Sequence, residues 1–141
     1  MSGFQESKKL VLEYFSEMEK AGSDELYPIL QKYVSDDYDW KGVYPFREIT
    51  DTKQVCEQFW APLKKSLSHL QRRQDIFIAG INEIDGKTWV TSMGNFMGLF
   101  DEEWLHIRPT GKMINLRYVE FSCVENGKIT QTGLFVDIIG F

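Results

Sequence analysis

The sequence predicts one α+β domain over residues 1–141, in which N-terminal helices close a strongly curved antiparallel sheet into a cone-shaped barrel. Three observations carry this. Apolar residues in the first half recur at helical spacing, whereas the second half alternates and is rich in β-branched and aromatic residues. Asp85-Gly86 and Asn126-Gly127 read as hairpin turns, because both dipeptides tolerate positive φ. Helices followed by a run of strands, rather than alternating with them, argue for α+β over a parallel α/β sheet.

The first helix is expected from Ser7 to Lys20, with Leu10, Val11, Tyr14, Phe15 and Met18 as its apolar stripe and Gly22 as its stop. Ser23 is the expected cap of a second helix running to Tyr33. A short strand is expected near Tyr38 to Lys41. Thr50 or Asp51 can cap a third helix with the stripe Val55, Phe59, Leu63 and Leu67, broken or kinked at Pro62. Four strands then follow, over 74–83, 89–100, 112–124 and 128–139. Gly94 and Gly98 inside the second of these predict bulges or sharp bending.

At 141 residues the chain can bury a core without disulfides or metals. A net charge of -5 argues against nucleic acid as a partner. The short basic cluster of Lys64, Lys65, Arg72 and Arg73 reads as a solvated face. Cys56 and Cys123 read as buried free thiols in a reducing compartment, and two histidines, His69 and His106, are too few to argue a metal site. No stretch has the length of a membrane span or the form of a secretory signal, so a cytoplasmic protein without membrane contact is expected.

A bent sheet covered by helices encloses a pocket suited to a small, mostly apolar molecule. Aromatic residues are abundant, at 14%, and Trp40, Trp60, Trp89, Trp104 and Phe96 are available either to line such a pocket or to fill a core. The order of Phe59-Trp60-Ala61-Pro62-Leu63, Trp89-Val90, Gly94-Asn95-Phe96-Met97-Gly98 and Pro109-Thr110-Gly111-Lys112 resembles the SnoaL-like polyketide cyclases. Arg117, Glu120-Phe121, Glu125-Asn126-Gly127-Lys128-Ile129 and Asp137-Ile138-Ile139-Gly140 extend the resemblance to the end of the chain. That family lies in the nuclear-transport-factor-2-like superfamily, whose cone-shaped α+β fold agrees with the reading above. The resemblance implies cofactor-free proton transfer at a carbon next to a carbonyl, as in aldol cyclisation, isomerisation or dehydration. It also implies a carbonyl-bearing apolar or aromatic ligand, a homodimer, and Asp137 as the proton-transfer residue. A non-catalytic ligand-binding or interaction module on the same fold is the alternative.

The residues themselves offer further candidates. Asp137 follows the apolar Phe135-Val136, where a carboxylate would lose hydration and suit general acid–base work, unless it faces water at the strand end. Alternation puts Glu120 on one face with Tyr118 and Ser122, which is either pocket or solvent. An inward Glu120 would share a catalytic site with Asp137 across the Asn126-Gly127 hairpin. Asn95 is a candidate donor to a developing enolate oxygen, and Trp104 a candidate wall at the pocket mouth. His106 is a candidate proton shuttle or a surface loop residue, and Tyr118 and Phe135 complete the expected ligand-facing set.

Overall fold

The computed structural model describes residues 2–42 and 46–137. Helix α1 (Ser2–Lys20) starts earlier than expected and buries Val11, Tyr14, Phe15 and Met18 of the anticipated stripe, with Leu10 partly buried beside them. Gly22 ends it without adopting a left-handed conformation; its N–H instead donates to the Glu25 carboxylate at 2.9 Å. Helix α2 (Leu26–Tyr33) begins three residues beyond the expected Ser23 cap, and Pro28 sits in its first turn, where a missing N–H leaves no helical bond unmade.

Asp51 caps α3 (Thr52–Val55) by accepting from the Lys53 N–H at 3.0 Å. The break expected at Pro62 takes the form of one wide π turn, Cys56–Trp60, before α4 (Ala61–Ser66). Proline lacks the N–H that would continue the α ladder, and the wider turn absorbs the mismatch. It also turns Phe59, Trp60 and Leu63 together into the core. Lys64 on α4 reaches the end of α1 and donates to the carbonyls of Met18, Glu19 and Ala21 at 2.6, 3.0 and 2.5 Å. These carbonyls belong to the helix end that lacks internal partners, so one ammonium ties α1 to α4. Partial burial draws its pKa down.

Among the described residues the sheet has six strands in the order β2-β1-β6-β5-β4-β3: β1 (Val34–Gly42), β2 (Glu48–Ile49), β3 (Leu67–Ile81), β4 (Thr88–Phe100), β5 (Met113–Glu125) and β6 (Lys128–Val136). Ile138 and Ile139, expected in the last strand, lie outside the described residues. The α+β prediction holds, but the sheet is mixed rather than antiparallel, because β1 pairs with β6 in parallel. It is also open, with β2 and β3 at its edges. Asn126 (φ 52°) and Gly127 (φ 73°) form the expected two-residue turn between the paired Glu125 and Lys128. Asp85-Gly86 instead lies in a longer loop closed by the Asn82 N–H on the Lys87 carbonyl, and only its glycine has positive φ.

Bending is built into β3. Its register shifts between Ser68 and Gln71 and again between Gln74 and Ile76. These bulges lie across from Gly98 and Gly94, the two glycines that predicted them. A Cβ on Gly94 would stand 1.9 Å from the Arg73 carbonyl oxygen. Only glycine lets the two backbones approach this closely.

One face of the sheet packs under the helices. It carries Val90, Ser92 and Phe96 of β4, Leu116, Tyr118, Glu120 and Ser122 of β5, and Thr132, Leu134 and Val136 of β6, all buried. The opposite face leaves Ile76, Ile78, Phe121 and Phe135 exposed. No helix among the described residues is long and apolar enough to cross a membrane.

Candidate functional site

Among the described residues, the apolar interior beneath the helices holds one charge pair. Arg72 on β3 donates to Glu120 Oε1 on β5 at 2.7 Å, with only 8% and 0% of the two side chains exposed. The basic cluster is therefore not uniformly a solvated face: Arg73 is exposed, but Arg72 is internal. β3 begins at Leu67 rather than Gln74, and the register shift between Ser68 and Gln71 then carries Leu70, Arg72 and Gln74 to the helix side. Aromatic rings replace water around the cation. Its Cζ lies 3.6 Å from the Phe15 ring centre and 4.9 Å from those of Phe96 and Tyr118. Burial pulls the guanidinium pKa down, but the Glu120 charge and the Tyr118 hydroxyl outweigh this and hold it above the ordinary arginine value. Arg72 is a permanent cation.

Glu120 Oε2 is buried and has no hydrogen-bond partner among the described residues, and neither has the hydroxyl of Tyr14. Burial, then the neighbouring Tyr38 and Glu120, keep the Tyr14 pKa well above the usual phenol value, so it stays a neutral O–H donor. Tyr38 is driven up in the same way, chiefly by burial. Ser92 Oγ lies 2.8 Å from both Gln74 Oε1 and the Tyr118 hydroxyl. The interior thus offers a fixed cation, a carboxylate with one uncommitted oxygen and a neutral hydroxyl without an acceptor. That combination can take a proton and stabilise the negative charge left behind.

Access is narrow. A cavity of about 20 Å³, room for about one water, reaches Arg72 between Phe15, Met18, Trp60, Leu70 and Phe96, with Glu19 and Lys64 at its walls. A larger hollow of about 570 Å³ lies on the opposite face of the sheet, lined by Ile78, Trp89, Thr91, Phe121, Gly133 and Phe135 among others. Volume favours the second and chemistry the first, because Arg72 of the buried ion pair lines the first and neither member of the pair lines the second. Residue character is the better guide to chemistry.

Of the residues singled out by sequence, Glu120 and Tyr118 lie in the buried interior. Asp137 does not join them, contrary to the expected apolar burial. It is exposed, and its N–H donates to the Arg117 carbonyl at 2.9 Å on the outward parity of β6. The cause is one unpaired residue. Val124 pairs with Ile129 but Cys123 with Gln131, so Thr130 is extra and every later residue of β6 moves one place along β5. Without that bulge Asp137 would oppose the interior Leu116; with it, Asp137 opposes Arg117.

Asn95 pairs with Arg117 and Arg73 on the outward parity, so it is not aimed at the interior. Phe135 is 49% exposed on the same outer face, edge-on to Phe121. His106 is exposed in the β4–β5 connection beside Glu103, 3.8 Å away. Trp104 is buried and stacks on Phe46, so it is core rather than mouth. Sequence reasoning missed Arg72, Tyr14, Ser92 and Gln74. The predicted α1 stripe already turned Tyr14 inward; Arg72 needed both the true start of β3 and its bulge after Ser68. Cys56 and Cys123 are buried and free as expected, and burial pushes the Cys56 thiol up to about 12. Among the described residues, no group of three or more His, Cys, Asp or Glu side chains could hold a metal ion.

No protein-family model matches the chain, and no curated protein matches it closely enough to count as a relative. Solved structures do match in fold. A protein from Jannaschia sp. CCS1 assigned as a SnoaL-like polyketide cyclase superposes with a TM-score of 0.78 at 17% identity, over 97% of this chain and 89% of that one. An NTF2-like protein from Burkholderia thailandensis gives 0.66 at 15% identity, over 94% and 91%. A LEH-like epoxide hydrolase from M. tuberculosis gives 0.64 at 12% identity, over 97% and 86%. The chain therefore has the SnoaL-like, NTF2-like α+β fold.

Proposed function

We propose that the protein acts on a small apolar or aromatic carbonyl compound by cofactor-free proton transfer at the carbon next to the carbonyl, with Glu120 as the base. The observation that carries this reading is the fully buried Glu120 carboxylate, one oxygen held by Arg72 and the other uncommitted. In the step envisaged, Glu120 Oε2 takes the proton and the C–H electron pair moves into the carbonyl to give an enolate. Arg72 and the neutral Tyr14 hydroxyl offset the charge on the enolate oxygen. Aldol cyclisation, isomerisation and dehydration share this step. The reading moves the base from Asp137 to Glu120, because a carboxylate in water lacks the dry setting that general-base work on a weak carbon acid exploits. Entry requires the α1–α4 side to part, since the cavity at Arg72 is only about 20 Å³.

The test is exchange of the methyl protons of acetophenone in deuterium oxide, followed by NMR. The protein is expected to accelerate exchange, and Glu120→Gln to remove about 10²-fold or more of the acceleration. No acceleration with acetophenone or smaller methyl ketones would overturn the enzymatic reading. It would favour a non-catalytic module on the same fold, a second reading that the small cavity supports.

The homodimer implied by the family resemblance would use the exposed face of Ile76, Ile78, Phe121 and Phe135. Sedimentation is expected to show a dimer that Phe135→Lys dissociates. A monomeric parent protein would contradict it.

A further inference from the structure

We infer that Lys64 is the latch of a gate between α1 and α4, through which a ligand reaches Arg72 and Glu120. The inference rests on the reading above, because it names what controls entry to that site. Trp60 and Lys64 are four residues apart across the junction of the π turn and α4, so they share one face of the helix. Both line the cavity of about 20 Å³ at Arg72, and Phe15 and Met18 of α1 line it as well. The Trp60 ring centre lies 6.0 Å from the Arg72 Cζ. The seam between α1 and α4 therefore bounds the cavity that ends at the buried ion pair. Among the described residues, every hydrogen bond that crosses this seam comes from Lys64, to the carbonyls of Met18, Glu19 and Ala21. The remaining contact across it is apolar.

These bonds are ones that water can replace. The acceptors are carbonyls at and just beyond a helix end, which lack an intrahelical partner and can be hydrated instead. Lys64 is half-buried, so release returns its ammonium to solvent rather than stranding a charge. Of the two helices, α4 is the fixed one. Ser66 at its end is buried, and its carbonyl accepts from the N–H groups of Asp101 and Glu102 at 3.1 and 3.4 Å, which ties α4 to the β4–β5 connection. On α1, Glu17 is bonded to Tyr33 and Lys32 of α2, which sets where a moving last turn begins. That turn runs into Gly22, whose N–H is held by the exposed Glu25 carboxylate. Opening moves the last turn of α1 away from Lys64 and widens the cavity between Met18 and Trp60.

The experiment is hydrogen exchange of the indole N–H groups in deuterium oxide, followed by ¹H–¹⁵N NMR, and it needs no ketone. Trp60 and Trp40 each have a buried indole N–H with no hydrogen-bond partner among the described residues, so each exchanges only when an opening admits water. Trp60 lines the cavity, whereas Trp40 is fully buried on β1 and is not among its walls, so it reports opening of the whole molecule. In the parent protein the Trp60 N–H is expected to exchange faster than that of Trp40. Lys64→Met keeps the stem and removes the donors. It should speed exchange at Trp60 relative to Trp40 by about tenfold or more, the loss of at least one hydrogen bond across the seam. Equal acceleration at both indoles would mean that Lys64 only stabilises the fold, and would overturn the gate. Equal rates at the two indoles in the parent protein would overturn it as well, and that comparison stands even if Lys64→Met does not fold. Neither readout involves ketone exchange, so a failed latch leaves Glu120 as the base, and absent ketone exchange leaves the latch to be judged on its own.

Discussion

Glu120→Leu is expected to destabilise the protein by about 3–5 kcal/mol, because it strands the Arg72 charge in the interior without its counter-ion. Arg72→Met should cost a similar amount for the mirror-image reason. Combining the two should recover most of the loss, since an apolar pair of similar volume avoids the desolvation of both ions. The surroundings suit the exchange: Phe15, Phe96 and Tyr118 already enclose the guanidinium. Chemical denaturation of the four proteins in this cycle measures the coupling. Additive losses, with the double variant about twice as destabilised as either single one, would mean that the pair is hydrated in solution. A double variant that regains stability but exchanges no ketone protons would separate what the pair does for folding from what it does for chemistry.

Gly94→Ala should cost about 3 kcal/mol or more, at or beyond the top of the usual range for overpacking. The added methyl would sit 1.9 Å from the Arg73 carbonyl oxygen and 3.0 Å from the Gln74 Cα. Both atoms are backbone, so no rotamer change relieves the clash. The strand pair must separate, at the point where β3 carries Arg72 and Gln74 into the interior. Gly80→Ala is the control, because a Cβ there meets nothing within 4 Å. It should leave stability unchanged or raise it slightly through the less flexible unfolded chain. Thermal unfolding of the two variants measures the difference. Equal midpoints would show that β3 and β4 tolerate a side chain at Gly94, and so that the close approach does not set the bend.

Local signals made much of this legible in the sequence. The α1 stripe, the Asp51 cap, the Asn126-Gly127 turn and the bulges facing Gly94 and Gly98 each depend on a few neighbouring residues. The parallel pairing of β1 with β6 was not legible, because it joins segments about ninety residues apart and leaves no local mark. Arg72 was hidden by its neighbour. Two adjacent arginines suggest a wet face, yet in a strand adjacent residues point to opposite sides, and one of the two had to face the helices. Asp137 was misplaced through the single extra residue at Thr130. A bulge has no firm signature when the strand around it reads Lys-Ile-Thr-Gln-Thr, yet it decides whether Asp137 faces the interior.

The most direct measurement is a comparison of ketone proton exchange between two conservative variants, Glu120→Gln and Asp137→Asn, each checked for parent-like folding. Loss of the accelerated exchange in Glu120→Gln, with a parent-like rate in Asp137→Asn, is the result this account predicts. The reverse pattern would mean that the reacting carbon meets the sheet's outer surface, and would contradict an interior site built on Arg72 and Glu120.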